Sequence, residues 1–282
     1  MKIDAEETEC RLEVNSDILN KEEIAARMRT KWAGREVVFL EETGSTNAEA
    51  HKLAETGAVH GTLVTADSQN GGRGRRGRSW YTSRGSSIAM SLILKPKLEA
   101  EYASMLTLVQ AIAVAKAIEE VCKVEAQIKW PNDILVNEKK VCGILTEMNL
   151  EKTSISSIII GTGINVNQES FPEEIKEIAT SLKIETKQTR SRADLIGCIC
   201  GWFEAYYEKF METKDLSAFL EEYNSHLISK ERMVKVLDPK GEFTGRALGI
   251  NPKGELCVEK ESREIVTVYA GEVSVRGIYG YV

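Results

Sequence analysis

Gln69-Asn70-Gly71-Gly72-Arg73-Gly74-Arg75-Arg76-Gly77-Arg78-Ser79-Trp80 follows closely on the apolar run Thr62-Leu63-Val64-Thr65-Ala66, so a buried strand delivers a loop rich in glycine and arginine. Four of these twelve residues are glycine and four are arginine. Glycine lets backbone come close to a ligand, and arginine supplies planar, permanently charged forks that match phosphate or carboxylate oxygens. The loop is suited to an anion. Taken alone it fits a nucleic-acid-binding tract equally well.

Composition argues against that alternative. The 282-residue chain carries a net charge of -6 with a pI near 5.4, which makes the basic loop a local positive site on an acidic protein. A hydrophobic content of 42% is enough for a core. The six cysteines are scattered, as expected of a reduced, cytoplasmic protein. Cys198 and Cys200 form a C-x-C pair on an expected helix without neighbouring His or Cys, and read as core packing; no metal site is expected. The sequence has neither an apolar run of membrane-spanning length nor a signal-like amino terminus, so no membrane association is expected.

Outward from the loop, Asn20 is placed to cap a helix over Lys21 to Lys31, with Glu23 at its third position. Val37 to Leu40 reads as a strand leading through Glu41 to Asn47 into a helix over Ala48 to Thr56. Ser45, Thr46 and Asn47 stand together there, and capping accounts for one of them; the cluster also suits a polar head group. Further strands are expected at Ser87 to Leu94, Ala126 to Lys129, Ile134 to Val136, Lys140 to Leu145 and Ser157 to Ile160, the last ending in Gly161-Thr162-Gly163-Ile164-Asn165. Helices are expected over Ala103 to Cys122, Arg192 to Thr213 and Leu216 to Leu227. From about Lys230 the pattern changes to short strands, Met233 to Leu237, Glu242 to Ile250, Leu256 to Glu259 and Glu264 to Tyr269, which reads as a separate small β-barrel.

Gly44-Ser45-Thr46-Asn47, Gln69 with Gly72 to Trp80, Lys129-Trp130-Pro131-Asn132-Asp133, Lys140-Val141-Cys142-Gly143-Ile144-Leu145 and Gly161 to Val166 together resemble the successive motifs of biotin protein ligases. The resemblance runs from about residue 18 to the end and is specific in order and spacing. It implies an α+β fold: a mixed sheet with packed helices like that of class II aminoacyl-tRNA synthetases, followed by an SH3-like β-barrel. The expected division is a lead-in and helix over 1–35, a catalytic domain over 36–229 and the barrel over 230–282. Some members also carry an amino-terminal helix-turn-helix domain that represses transcription. Only some forty residues precede the motifs here, so no DNA-binding role is expected. Glu9-Cys10-Arg11-Leu12 resembles the end of that domain's linker, and a naturally short chain and a trimmed one are both left open.

The implied reaction is acyl transfer in two steps, with ATP and biotin as substrates and Mg²⁺ as companion. Biotin is activated to biotinyl-5′-AMP and then passed to a lysine of a biotin carboxyl carrier protein. By resemblance, Ser45, Thr46, Asn47, Gln69, Gly72, Arg73 and Gly143 surround biotin. Arg75 and Lys140 hold acyl and phosphate oxygens and, with Asp133, form the catalytic set. Arg73, Arg78, Asn132, Lys140 and Asn165 meet the nucleotide, Trp80 covers the adenine, and Arg276, in Gly271-Glu272-Val273-Ser274-Val275-Arg276, leans over it. Whether Asp133 serves the acceptor amine or a metal is left open, as is a homodimer through a sheet edge. A lipoate or octanoate ligase of the same superfamily is the nearest rival, and a nucleic-acid-binding regulator is the rival of another class. The polar set Ser45, Thr46 and Gln69 favours a ureido ring over the rival acids.

Overall fold

The computed structural model of the chain describes residues 17–80, 82–151, 154–238, 241–270 and 274–277. Cys10, the linker-like Glu9 to Leu12 segment and Gly271 to Val273 of the last motif lie outside these residues.

Helix α1 (Lys21–Arg27) begins as expected, with the Glu23 amide donating to Asn20 Oδ1 at 2.8 Å. It stops short of Lys31 because another acceptor takes the next amides. The buried carboxylate of Glu204 accepts the backbone N–H groups of Lys31, Trp32 and Ala33 at 2.8 to 3.0 Å. Strand β1 (Val37–Thr43) runs three residues beyond the expected Leu40, since Glu42 and Thr43 stay in register with Ser68 and Gln69 of β2 (Leu63–Gln69). Between these strands, α2 (Thr46–Glu55) starts two residues before Ala48.

The chain continues through β3 (Ser87–Leu94), the buried helix α3 (Met105–Cys122), β4 (Gln127–Lys129), β5 (Asp133–Val136), β6 (Lys139–Glu151) and β7 (Ser154–Asn165). These seven strands make one mixed sheet in the order β1-β2-β3-β7-β6-β5-β4, with only β1 and β2 parallel among its pairs. The expected strand end at Ile160 is corrected: Gly161 to Ile164 remain paired with both β3 and β6, and Asn165 with β3. Alternation along β7 then sorts its side chains. Ile158, Ile160 and Ile164 enter the main core with α3, while Ile159 joins Ala50, Ala54, Val64 and Ile93 beneath α2. Gly161 and Gly163 share the Ile159 face, where side chains are absent and a ligand has room.

Helices α4 (Leu182–Thr186), α5 (Arg192–Thr213) and α6 (Leu220–His226) follow, and α5 lies along α3 over the core face of the sheet. The helix expected over Leu216 to Leu227 is split, because Asp215 Oδ1 accepts from both the amide and hydroxyl of Ser217 and opens the chain as a tight turn. Cys200 is packed in the core from α5, with Cys198 beside it, and burial pushes both thiols up to about 12.

A second, five-stranded antiparallel sheet is formed by β8 (Met233–Leu237), β9 (Phe243–Ile250), β10 (Leu256–Glu259), β11 (Ile265–Val268) and β12 (Ser274–Gly277), in the order β11-β10-β9-β8-β12. It is tied to the turn between β4 and β5 and to α6 by specific bonds. Trp130 Nε1 donates to Gly254 O at 3.0 Å, and the Ile250 amide donates to Asn224 Oδ1 at 2.7 Å.

Candidate active site

A cavity of about 950 Å³ opens on the Gly161/Gly163 face of the large sheet, within the range that holds a small-molecule ligand. Its floor follows from pairing. Gly143 of β6 lies directly opposite Gly163 of β7, leaving a patch without side chains. The indole of Trp80 rests there: a Cβ added at Gly163 would come within 2.5 Å of its Nε1, and one at Gly143 within 3.0 Å of Cζ3. Two residues back on β7, a Cβ at Gly161 would run into Asn47 Oδ1. Along the sheet the order is therefore Asn47, Trp80, then Lys140, whose Nζ lies 5.5 Å from the Trp80 ring centre.

The arginine loop folds back on itself as a hairpin. Arg73 pairs with Ser79, the Gly74 amide donates to Arg78 O at 2.7 Å, and the Trp80 amide to Gly72 O at 2.9 Å. Gly72 itself does not line the cavity. It sits behind Gln69, where any Cβ would meet Gln69 Nε2 at 2.5 Å. Arg75 turns inward, donating to Asn132 Oδ1 at 3.1 Å and to Ala270 O at 2.8 Å, so it joins the loop to the small sheet. Burial lowers its pKa and the Asp133 carboxylate opposes that shift, but a guanidinium stays charged. Lys140 donates to Asp133 at 2.6 Å, and its backbone is pinned through its amide to Ile178 O at 2.8 Å.

At the start of α2 the residues are held differently from a simple cap. Ser45 occupies the cap position but its side chain makes no capping bond. The Thr46 amide donates to Gln69 Oε1 at 2.9 Å, and Asn47 Nδ2 donates to Glu147 Oε2 at 2.6 Å. Ser45, Thr46, Asn47, Gln69, Arg73, Arg75, Arg78, Trp80, Asn132, Asp133, Lys140, Gly143, Asn165 and Arg276 all line the one cavity. Asn165 is engaged at both ends of its amide, donating to Thr180 O at 3.1 Å and accepting from Gln168 Nε2 at 3.0 Å. It fixes the loop after β7 as well as facing the cavity.

Sequence reading missed two contributors. Lys129 lines the cavity, and burial lowers its pKa to about 8, against the pull of Asp133 and helped by Lys140, Arg276 and Arg78. Its place at the head of the Lys129-Trp130-Pro131-Asn132-Asp133 motif was the available signal. The second is the wall made by Phe171, Ile175 and Ile178, whose helical spacing is visible in the sequence although the segment contains no regular helix.

The flat glycine floor leads to a direct expectation. Gly163→Val would force the indole off the sheet and into the cavity, a clash of the kind that costs about 1 to 3 kcal/mol. Turnover in this cavity is expected to fall at least about tenfold, with the melting temperature lowered by no more than about 10 °C. Gly201→Ala, where a Cβ meets nothing within 4 Å, is the matched control.

Residues 39–165 match the Biotin/lipoate A/B protein ligase family, and residues 231–276 match the Biotin protein ligase C terminal domain. The chain is 39% identical over 259 residues to the bifunctional ligase/repressor BirA of Bacillus subtilis, covering 91% of this chain and 79% of that one. It is 29% identical to the biotin--[acetyl-CoA-carboxylase] ligase of Mycobacterium tuberculosis, over 85% and 88% of the two chains. The solved structure of the biotin protein ligase from Aquifex aeolicus in complex with biotin and ATP superposes with a TM-score of 0.76 at 33% identity, covering 86% of this chain and 99% of that one. The motifs, the paired architecture and these likenesses agree: the chain belongs to the biotin protein ligase family.

Proposed function

We propose that this cavity joins biotin to ATP as biotinyl-5′-AMP and then hands the biotinyl group to a lysine of a biotin carboxyl carrier protein. The observation that carries the reading is the order along the sheet: a small polar set at Thr46, Asn47 and Gln69, an aromatic surface at Trp80, then Lys140 paired with Asp133 beside the arginine loop. The order suits an acid with a polar ring, an apolar body and a carboxylate.

In the first step a biotin carboxylate oxygen attacks the α-phosphorus, the bond to the β-phosphate breaks, and pyrophosphate leaves. Two anions must approach and charge grows on the phosphoryl oxygens, so fixed cations are the main requirement. Lys140 and Arg75 are the groups proposed to meet that charge, with Arg73, Arg78 and Arg276 toward the remaining phosphates, Asn132 holding Arg75, and Trp80 against the ligand's rings. In the second step the acceptor amine attacks the acyl carbon, AMP leaves, and the amine gives up a proton.

Among the described residues no group of three His, Cys, Asp or Glu side chains could hold a metal ion. Asp133 and Glu174 are the carboxylates of the cavity wall. That set fits Mg²⁺ brought in on ATP, because Mg²⁺ is held by phosphate and water oxygens with one or two carboxylates, and it would neutralise phosphate charge there.

Three further points belong to the same reading. The barrel from about residue 230 is a separate unit from the catalytic domain over 36–229. The setting is cytoplasmic; no described helix is long and apolar enough to cross a membrane. A homodimer would use the edge of β6 beyond Gly143, where pairing with β5 stops and Met148 and Leu150 are 45% and 54% exposed.

The test is transfer. With ATP and a carrier domain from a biotin-dependent carboxylase, intact mass is expected to show one biotinyl group on the carrier's lysine, and no product from lipoate or octanoate. Octanoyl or lipoyl transfer without biotinylation would move the chain to the sister activity.

A further inference from the structure

Glu147 lies on β6, and its carboxylate, 44% exposed, meets Asn47 and His51 of α2. Its partner Asn47 is buried, as are Thr46 and Ser91. Asn47 Oδ1 is 2.6 Å from Ser91 Oγ, Ser91 Oγ is 2.8 Å from Thr46 Oγ1, and Thr46 Oγ1 is 3.3 Å from Gln69 Oε1. Polar groups buried this deeply must share protons consistently, since an unmatched donor or acceptor costs about 1 to 3 kcal/mol.

Counting protons along the chain fixes its direction. An ionised carboxylate only accepts, so the Asn47 atom facing Glu147 is Nδ2, which also approaches Leu145 O at 3.4 Å. Oδ1 then faces Ser91, whose hydroxyl must donate to it. Ser91 has a single proton, so the contact with Thr46 is donated by the Thr46 hydroxyl. Gln69 Oε1 is held by the Thr46 amide instead. Thr46 Oγ1 is left to offer lone pairs to the cavity, which is what an N–H of a ureido ring needs. The relay is built in place: only glycine at 161 leaves room for Asn47, and His51, one turn along α2, sits 3.5 Å from the same Glu147 oxygen.

We infer that Glu147 is a positioning residue for biotin, setting through Asn47 and Ser91 the hydrogen-bond polarity of Thr46 so that Thr46 accepts from the ureido N–H. The inference rests on the proposed placement of the biotin ring at Thr46 and Gln69. Without Glu147 only the long contact to Leu145 O orients the Asn47 amide; the amide can turn over, Ser91 can donate to Thr46, and Thr46 then presents a proton to a donor.

The experiment is steady-state ATP/pyrophosphate exchange on the whole chain with Glu147→Ala, Glu147→Gln and Thr46→Val, together with melting curves. Glu147→Ala is expected to raise the KM for biotin about tenfold while leaving the KM for ATP and the melting temperature near wild type. Glu147→Gln, which still offers an oxygen to Asn47, is expected to recover most of that loss. An unchanged biotin KM in Glu147→Ala alongside a raised one in Thr46→Val overturns the relay and keeps the ring placement. An unchanged KM in Thr46→Val overturns the placement and the relay with it. Equal loss for biotin and ATP with a lowered melting temperature also overturns it, as would a Gln variant no better than Ala.

Discussion

Lys140→Ala is expected to lower biotin-dependent ATP/pyrophosphate exchange by about 10²- to 10³-fold, the cost of removing one preorganised group from developing anionic charge. The ammonium is held where it is needed: it donates to Asp133 at 2.6 Å, its side chain is only 25% exposed, and the Trp80 ring lies beside it. Removing it also leaves the Asp133 carboxylate facing two incoming anions with one fewer cation, so the loss should exceed that of a neutral hydrogen bond. The fold should be unaffected, because the contacts that fix this strand to the loop after β7 are backbone ones, Lys140 N to Ile178 O and Thr180 N to Lys140 O. Arginine should restore little, since its longer, planar guanidinium cannot put a compact point charge where the ammonium meets Asp133. Exchange within threefold of wild type would remove Lys140 from the chemistry.

Arg192→Ala is expected to cost about 3 to 5 kcal/mol of folding stability, the penalty for stripping one partner from a buried ion cluster. Arg192 is 1% exposed at the first turn of α5. Its guanidinium donates to Asp17 and to Asp67 Oδ1, and also to the carbonyls of Ser87 and Asp17, so it ties the segment before α1, β2 and β3 to one helix. Alanine would take the guanidinium from between two carboxylates: Asp17 keeps the Asn167 amide and the backbone N–H of residue 192, each at 3.0 Å, and Arg84 reaches Asp67 only at 3.8 Å. Lysine should rescue poorly, having one nitrogen for a job spread over the whole fork. Chemical denaturation reads this directly, and a loss below about 1 kcal/mol would show that the cluster is offset by its own desolvation.

Much of the architecture was legible because it depends on local pattern. Ser87 to Leu94 and Arg192 to Thr213 have the expected bounds, since a continuous apolar strand and a long capped helix need no distant partner to be recognised. The misplaced ends depended on distant residues. Nothing near Lys31 announces that Glu204, 173 residues away, will take its amide. Nothing local shows that Gly161 and Gly163 continue a strand whose neighbours are β3 and β6. The cavity's residue types were readable from the motifs, including Lys140 and Arg75. Their attachments were not: the Arg75 bond to Ala270 and the Asn47 bond to Glu147 join elements far apart in the chain. Lys129 stands in a motif at a strand end, where sequence alone does not show its depth; in the fold, burial and three neighbouring cations lower its pKa to about 8.

The most direct test of the central claim needs no carrier protein. The chain is mixed with ATP labelled in the α-phosphate and with biotin, lipoate or octanoate in turn, and the nucleotide retained by the protein is separated and identified. The account predicts retained biotinyl-5′-AMP with biotin and none with the other acids. An adenylate formed from lipoate or octanoate but not from biotin would contradict it.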